Sequence, residues 1–314
     1  MTAPGMRFGV LHMSRPASGR AFLDEVRRVE DAGFDSLLLS DHTERSPLAP
    51  IPALAAAAAV TSRLTLGSLV LCNDFRHPAI LAKEALTLHL LAPGRIELGL
   101  GAGWMVQDYE QAGIRLDPPG RRIERLAETL DILASQLAGE TTTRRGRHYA
   151  VSAMPAVPAP PAGSGRPRLL VGGAGRRVLA LAARRADIVS LNWNLRAGRV
   201  GTAALLSGTR AATEEKLAVV GAAAPERAGH IELHVQCYFL ELTDRPLDAV
   251  ARFAASRGAD VDPKLLLDSP HVLAGSPAEL AERLAEQRES LGISYVSFYD
   301  EDAAKAAAVL ARLA

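Results

Sequence analysis

The sequence predicts an α/β fold, a closed (β/α)8 TIM barrel with insertion loops at its C-terminal face. Short apolar segments typical of strands alternate with amphipathic helical segments along the 314 residues, and this alternation indicates a parallel sheet covered by helices. Eight strand segments can be counted, which is the number that closes such a barrel, and the chain length suits one barrel. We therefore expect a single domain over residues 1–314.

The strand predictions rest on apolar runs and on alternation. The apolar run at residues 37–39 is typical of a parallel strand that is covered on both faces. Ile96, Leu98 and Leu100 alternate with glycine or a charged residue, as a strand requires. The expected strands are residues 7–13, 34–40, 64–71, 95–101, 168–171, 187–191, 231–240 and 293–299.

The helix predictions rest on periodicity and on end signals. Leu126, Leu130 and Leu133 recur at the helical period, and Ser276 with Glu279 forms a capping-box pattern that opens a helix. The expected helices are residues 18–33, 53–61, 77–91, 119–137, 176–185, 211–220, 247–257, 277–291 and 302–313.

Two longer segments interrupt this rhythm. Residues 141–166 are rich in Pro, Ala and Gly, and a long irregular segment in a compact fold is usually a functional loop or lid. Residues 192–209 are polar and are also predicted to be a loop. With residues 105–120, these segments are expected to form the substrate pocket.

The composition excludes several classes of function. The 36 basic side chains balance 35 acidic ones, so no attraction to nucleic acid or to a membrane surface is expected. Cys72 and Cys237 are the only cysteines, which excludes a disulfide scaffold and favours a reducing compartment. No signal peptide or membrane-spanning run is recognisable. We therefore expect a cytoplasmic protein that acts on a small molecule.

The stretch at residues 95–105 is predicted to be a buried strand that runs into a glycine-rich loop. Gly99, Gly101 and Gly103 remove side chains from the end of this strand. Such glycines allow either a tight turn with positive φ or the close approach of a flat ligand, and both interpretations stay open. Trp104 follows at once and adds a large aromatic surface beside the loop.

The active site of a (β/α)8 barrel lies at the C-terminal ends of its strands. Asp41 and His42 follow the second predicted strand. A histidine exchanges protons near neutral pH, and a carboxylate beside it can orient it or bind a polar ligand edge. We therefore predict that this pair is functional. The remaining histidines lack the spacing of a zinc site, and we expect no metal.

A second glycine-rich turn joins the fifth predicted strand to a helix. Backbone N–H groups at the start of a helix bind anions well when no side chain blocks them. The turn lacks the full dinucleotide fingerprint and a P-loop lysine, so an ordinary βα turn is the alternative. Because late βα loops often bind phosphate in barrels, we predict a phosphate site. Its residues are Gly172, Gly173, Ala174, Gly175 and Arg176.

Several motifs combine along the chain. They lie at residues 31–35, 40–42, 76–83, 94–104, 172–175 and 182–187. In this combination the chain resembles the luciferase-like oxidoreductase superfamily of TIM-barrel enzymes, which use FMN or the deazaflavin F420. The resemblance covers residues 7–191 closely and returns at residues 275–277.

The resemblance implies a flat tricyclic cofactor in the barrel mouth, with its phosphate near the second glycine-rich turn. The residues that it implies around the ring are Asp41, Leu71, Cys72, Asn73, Gly101, Ala102 and Gly103. The third strand of this family often has a bulge with a non-prolyl cis peptide, which we place at residues 71–73. His42 matches the catalytic-type histidine of F420-dependent sugar-phosphate dehydrogenases. Trp104 stands where those enzymes have an acidic residue, so the assignment of a general acid in this chain is incomplete.

The resemblance leaves two cofactors and three functions open. The leading expectation is an F420-dependent oxidoreductase that transfers a hydride to or from a small organic substrate, with His42 as the proton donor or acceptor and Trp104 lining the substrate side. The alternatives are an FMN-dependent monooxygenase that uses O2 and a non-catalytic flavin-binding homologue. The Asp-His pair and the short region after the fourth strand favour F420. A homodimer through the helices at residues 53–60 and 77–91 is also implied.

Overall fold

The structure, a computed structural model, describes residues 5–195 and 200–313. Its first half contains β1 (Arg7–His12), α1 (Gly19–Asp31), β2 (Ser36–Leu39), α2 (Pro50–Ala58), β3 (Thr65–Ser68), β4 (Leu71–Cys72), α3 (Pro78–Leu91), β5 (Ile96–Gly101), α4 (Val106–Ala112), α5 (Pro119–Leu137), β6 (Thr142–Arg145) and β7 (Ala150–Met154). Its second half contains β8 (Arg168–Gly173), α6 (Arg176–Arg185), β9 (Ile188–Leu191), α7 (Thr202–Leu206), α8 (Arg210–Ala223), β10 (Glu232–Gln236), β11 (Phe239–Leu242), α9 (Pro246–Ser256), α10 (Pro263–Leu267), β12 (Val272–Gly275), α11 (Pro277–Leu291), β13 (Ile293–Tyr299) and α12 (Ala303–Leu310). None of the described helices combines the length and the apolar character needed to cross a membrane.

Eight strand positions close into a parallel ring, which confirms the predicted barrel. Around the ring the order is β1, β2, β3, β5, β8, β9, β10 and β13, and β13 pairs again with β1. In such a ring β1 lies opposite β8, and β13 lies opposite β5. Because neighbouring strands are parallel, their C-terminal ends gather at one edge, which we call the mouth.

Alternate residues of each strand point to opposite sides of the sheet. Phe8 and Val10 of β1 belong to the large apolar core between the sheet and the helices. Leu11, the next residue along, belongs to a small apolar cluster inside the ring. The other fully buried members of this inner cluster are Leu38, Leu170, Ile188 and Tyr295.

Four partly buried side chains at or just beyond the C-terminal ends of ring strands pack against the inner cluster. They are Met13, Leu69, Val70 and Tyr299, and we call them the mouth floor. Met13 follows β1, Tyr299 ends β13, and the other two lie between β3 and β4. The mouth is therefore closed below by side chains and open above.

The third strand of the ring is interrupted. It consists of β3 and β4, whereas one continuous strand at residues 64–71 was predicted. The hydroxyl of Ser68 bonds both backbone groups of Gly99, at 2.9 Å to its carbonyl oxygen and 3.0 Å to its nitrogen. These hydrogen bonds of the Ser68 side chain take the place of backbone pairing with β5, which resumes in β4. The peptide bond between Leu69 and Val70 is cis. The predicted position of the cis peptide, residues 71–73, is therefore wrong by about two residues.

Other segments also differ from the predictions. Residues 141–166, expected to be irregular, contain the antiparallel hairpin of β6 and β7. The predicted strand at residues 231–240 divides, because β11 leaves the ring and pairs in parallel with β12. The helices α4, α7 and α10 have only five to seven residues, too few to show a clear period in the sequence. Of the predicted loop at residues 192–209, residues 196–199 lie outside the described part of the chain.

Charged side chains inside the ring hold its N-terminal end together. Nη1 of Arg7 lies 2.8 Å from Oε1 of Glu97 and 2.9 Å from Oε2 of Glu232. Arg168 approaches the same two carboxylates at 3.4 and 2.7 Å. The hydroxyl of Tyr295 donates to Glu97 at 3.3 Å, and its ring lies 4.4 Å from the Arg7 guanidinium. The Glu97 side chain is only 2% exposed, so its charge depends on these partners.

We predict that Glu97→Gln lowers the free energy of unfolding by about 2–3 kcal/mol, since Arg7 loses one charged partner in the interior and keeps Glu232. Chemical denaturation measures this difference. Glu110→Gln, on the exposed face of α4, is the matched control and should stay within about 0.5 kcal/mol of the parent. Equal stability of the two variants would contradict the role of this network.

Candidate active site

Gly101 and Gly172, two of the predicted site residues, leave space for the side chain of Val70 in the mouth floor. A Cβ on Gly101 would lie 2.7 Å from Cγ2 of Val70, and one on Gly172 would lie 3.2 Å from Cγ1 of the same side chain. Val70 therefore contacts both β5 and β8. A side chain at Gly101 would have to displace it, and one at Gly172 would also press on Nδ2 of Asn192, at 3.0 Å.

The other two glycines of the first glycine-rich loop are also required by protein neighbours. Gly103 has φ +74°, and a Cβ there would collide with the hydroxyl of Tyr109. A Cβ on Gly99 would collide with the carbonyl oxygen of Ser68. The tight-turn interpretation therefore holds for Gly103, and Gly99 packs against the third strand rather than clearing space for a ligand.

Arg122 of α5 fixes the path of this loop. Its Nη1 donates to the carbonyl oxygen of Ala102 at 3.0 Å and also to that of Gly103. Its Nε donates to the carbonyl oxygen of Asp117 at 2.9 Å. Because Arg122 is only 8% exposed, these bonds are shielded from water and hold the loop between β5 and α4 in one conformation.

His42 is held by a carboxylate that the sequence did not single out. Its Nδ1 lies 2.6 Å from Oδ2 of Asp108, in the first turn of α4. Oδ1 of Asp108 accepts from the backbone nitrogen and the hydroxyl of Thr43, at 3.1 and 2.9 Å. The ring of Trp104 meets the His42 ring edge-on, with centroids 5.8 Å apart. This bonding pattern assigns the Nδ1 proton to the bond with the carboxylate and leaves Nε2 outside that bond.

Asp108 is an acidic residue beside His42 that the sequence analysis did not identify. It is only 4% exposed, and it lies four residues after Trp104, inside α4, whereas Trp104 precedes the helix. The signal available in the sequence was an aspartate in the first turn of a helix, but α4 itself was not predicted. Without that helix, nothing placed Asp108 against the end of β2.

Asp41, predicted to meet the cofactor, is bonded to protein groups. Its two oxygens accept from Nη1 and Nη2 of Arg76, at 2.5 and 3.1 Å. One of them also accepts from the backbone nitrogen of Cys72 at 3.0 Å. Asp41 therefore ties the end of β2 to the end of the third strand position, beside His42.

The three predicted residues of the third strand end have different surroundings. Leu71 is buried in the outer core, so its side chain faces the helices. The Cys72 Sγ lies 3.3 Å from the hydroxyl of Tyr109, and burial raises the pKa of this thiol to about 11. Asn73 is 2% exposed, and its amide makes no hydrogen bond of normal geometry within the described residues, although the Tyr149 hydroxyl lies nearby.

The second glycine-rich turn leads from β8 into the N-terminus of α6. Gly172 and Gly173 are the last residues of β8, and Gly175 is the N-cap of the helix. No side chain caps this end, and nothing lies within 4 Å of a Cβ built on Gly175. The first N–H groups of α6 are therefore available to an anion. Arg176 is exposed beside them, and Ala174 completes the turn.

One group of described residues has the ligand types of a metal site and lies at the ends of β1 and β13, on the helix side of the sheet. Nδ1 of His12 is 3.0 Å from Oδ2 of Asp300 and 3.4 Å from Oε1 of Glu25. Burial alone would lower the pKa of His12, but the hydrogen bond and charge of Asp300 and the nearby Glu25 raise it overall. The protonated ring can thus supply the positive charge itself. His12 packs on Phe22 of α1, on the helix side of the sheet.

We predict that Cys72 resists alkylation in the folded protein, since its raised pKa leaves about 100-fold less thiolate at pH 8 than an ordinary cysteine has. The rate of iodoacetamide modification at Cys72, followed by mass spectrometry, should increase about tenfold per pH unit below its pKa. The denatured protein is the reference. Modification of the native protein at the denatured rate would contradict this environment.

Comparison with known proteins adds to this geometry. The family model described as luciferase-like monooxygenase matches residues 6–295. The F420-dependent glucose-6-phosphate dehydrogenase of Microbacterium testaceum is 35% identical over 159 residues, which are 48% of this chain and 46% of that protein. The protein of the same description from Nakamurella multipartita is 31% identical over 200 residues, 60% of this chain and 56% of that one. The chain spans about half the length of the curated relatives it matches.

Solved structures match over almost the whole chain. An F420-dependent secondary alcohol dehydrogenase in complex with an F420-acetone adduct has a TM-score of 0.74 at 17% identity and covers 98% of both chains. A monooxygenase from Streptomyces bottropensis has a TM-score of 0.72 at 21% identity, again over 98% of both chains. At these identities the likeness concerns the fold alone.

Proposed function

The chain belongs to the luciferase-like monooxygenase family, and from this premise we propose that it is an F420-dependent oxidoreductase that transfers a hydride to or from a small organic substrate. The observation that carries the proposal is the 2.6 Å bond between His42 and Asp108 at the mouth. F420-dependent dehydrogenases among the relatives of this chain support the choice of cofactor.

Two places at the mouth fit such a cofactor. The open N-terminus of α6 at Gly175 suits a phosphate, because its N–H groups and the helix dipole favour negative charge. Val70, flanked by Gly101 and Gly172, offers an apolar surface suited to a flat ring. When bound, the deazaflavin supplies the hydride chemistry.

In this proposal His42 gives or takes the proton that accompanies hydride transfer. Asp108 fixes the tautomer by accepting from Nδ1, so Nε2 is the atom that exchanges the proton. Thr43 holds the second oxygen of Asp108, and Trp104 limits rotation of the imidazole by its edge contact. Asp41 acts indirectly, since its bonds with Arg76 and Cys72 position the strand end that carries His42.

We predict that His42→Ala lowers kcat by about 10²–10⁴-fold and that Asp108→Asn lowers it by a smaller factor, because the second variant keeps the imidazole but loses its carboxylate partner. Steady-state kinetics with F420 measures both. Asp31→Asn, at the exposed end of α1, is the control and should leave kcat unchanged. Wild-type turnover in His42→Ala would remove this residue from the mechanism.

We predict that Gly175→Asp weakens F420 binding by about tenfold or more, because its carboxylate would face the phosphate. The backbone at Gly175 is extended, with φ −83°, so either aspartate or asparagine can cap α6 there without loss of stability. Gly175→Asn is therefore the matched uncharged control. Fluorescence titration gives the affinities and thermal unfolding the stability. Equal F420 affinity in the two variants would place the phosphate elsewhere.

The cofactor itself is tested by titrating the purified protein with F420 and with FMN. Tight F420 binding with weak FMN binding supports hydride transfer. The reverse result favours an FMN-dependent monooxygenase, for which oxygen uptake is the assay. Binding of neither cofactor overturns the proposal.

We also infer a cytoplasmic homodimer built as a single domain per chain. The support for the dimer is the surface of α3, where Ile80, Leu90 and Leu91 are 58%, 51% and 55% exposed. Exposed aliphatic side chains on one helix are typical of a contact surface. Sedimentation over a range of protein concentrations tests this inference.

A further inference from the structure

The side chain of Asn192 reaches the mouth from the end of β9. Ile188 of this strand belongs to the inner cluster, and alternate residues point to the same side of a sheet, so Ser190 and Asn192 also point into the ring. In agreement, the Ser190 hydroxyl lies 2.8 Å from Nδ1 of His234, whose ring packs on Tyr295 of the inner cluster. Asn192 is half-buried, so its amide is accessible from the mouth.

Three of the four polar groups of Asn192 are bonded to the protein. Its backbone nitrogen donates to the carbonyl oxygen of Gly173 at 3.1 Å, and its carbonyl oxygen accepts from the ammonium of buried Lys216 at 2.7 Å. Its side-chain oxygen Oδ1 accepts from the hydroxyl of Tyr238 at 3.1 Å. The position and the orientation of this side chain are therefore fixed.

The fourth group, Nδ2, has a poor protein partner. Within residues 5–195 and 200–313, that partner is the carbonyl oxygen of Ser190, 3.5 Å away and at the limit of a hydrogen bond. The same carbonyl decides which way the amide points, because a rotated amide would place Oδ1 against another oxygen. At least one N–H of Nδ2 is thus available to a ligand.

This donor lies beside the apolar surface proposed for the flat ring. A Cβ built on Gly172 would lie 3.0 Å from Nδ2 of Asn192 and 3.2 Å from Cγ1 of Val70, so the donor and the apolar side chain flank the same point. Around the ring β9 follows β8, which leads to Gly175, and it lies opposite β2, which leads to His42. The donor is therefore on the cofactor side of the mouth.

Tyr238 anchors Asn192 to a second apolar core. The Tyr238 ring packs on Trp193, with centroids 4.1 Å apart, and Trp193 is buried in a cluster with side chains of α7, α9 and α10. Burial raises the pKa of the Tyr238 hydroxyl, so the phenol is protonated at physiological pH and donates to Oδ1. The amide is thus held by a part of the chain outside the ring.

We propose that Nδ2 of Asn192 donates a hydrogen bond to a carbonyl oxygen at the edge of the cofactor ring. The inference rests on the proposed function, because it takes F420 as the ring that lies on Val70. A carbonyl at the edge of an apolar ring matches a donor beside an apolar side chain. Such oxygens carry more negative charge in the reduced ring, and hydrogen bonds to charged acceptors are stronger. Asn192 therefore favours the reduced cofactor.

The test compares the affinities of oxidised and of reduced F420 for the parent and for Asn192→Leu, measured by anaerobic calorimetry. Leucine is similar in size and has no donor. The variant should bind oxidised F420 about three- to tenfold more weakly than the parent, and it should lose at least about threefold more affinity for reduced F420. An equal loss for both forms, or no loss, overturns the inference.

Asn192→Asp is the isosteric variant, which keeps an acceptor for Tyr238 but replaces the donor by a negative charge. It should weaken the binding of reduced F420 more than Asn192→Leu does. Ala311→Asp adds the same charge at an exposed position outside the ring strands and should bind both forms as the parent does. Thermal unfolding shows whether each variant is folded. Reduced F420 that binds Asn192→Asp as tightly as the parent contradicts the proposed contact.

The parent protein separates this inference from the proposed function. If the parent does not bind F420, the proposed function fails, and the inference fails with it. If the parent binds F420 and the variants at Asn192 keep its ratio of reduced to oxidised affinity, the proposed function stands and this inference alone is overturned.

Discussion

The mouth of this barrel depends on the pair of hydrogen bonds between the Ser68 hydroxyl and the backbone of Gly99. Regular pairing of β3 with β5 ends at Gly67 and Glu97, and pairing resumes only at Leu71 with Leu100 in β4. Between these points the side chain of Ser68 satisfies groups that would otherwise be left unpaired in the sheet. The two intervening residues have no regular pairing with β5, although the Leu69 nitrogen still donates to the Leu39 carbonyl oxygen of β2 at 2.8 Å. Val70 turns inwards to form part of the mouth floor.

The groups around His42 are fixed by side chains from other βα units. Arg76 joins Asp41 to the third strand position, Arg122 holds the glycine-rich loop, and Asp108 arrives from α4. Arg125 of α5 adds two ion pairs, to Asp74 and Asp117, at 2.7 and 2.6 Å. A site that is assembled from loops needs such support, because a proton donor is effective only when its position is well defined.

The features that repeat along the chain, the ring strands and the long helices, could be predicted from the sequence. Features that occur only once could not. Eight ring strands and most long helices follow from apolar periodicity, and the capping box of Ser276 and Glu279 is present as predicted. His42 was singled out because active sites in such barrels lie at the ends of the strands, and its role stays a prediction. Asp108 was missed because a seven-residue helix gives no periodic signal, and its contact spans 66 residues of sequence. The bulge of the third strand was expected from the resemblance but was placed about two residues too late, because the position of the break after Ser68 depends on a neighbouring strand.

Positions 70, 101 and 172 are far apart in the sequence, but the contacts of Val70 couple the sizes of their side chains. Gly101 and Gly172 both abut this one side chain, from the adjacent strands β5 and β8. A methyl group added at Gly101 requires Val70 to move or the residue at position 70 to become smaller, and one added at Gly172 would press on both Val70 and Asn192. Evolution can therefore reshape the bottom of the mouth most readily by correlated substitutions at these three positions.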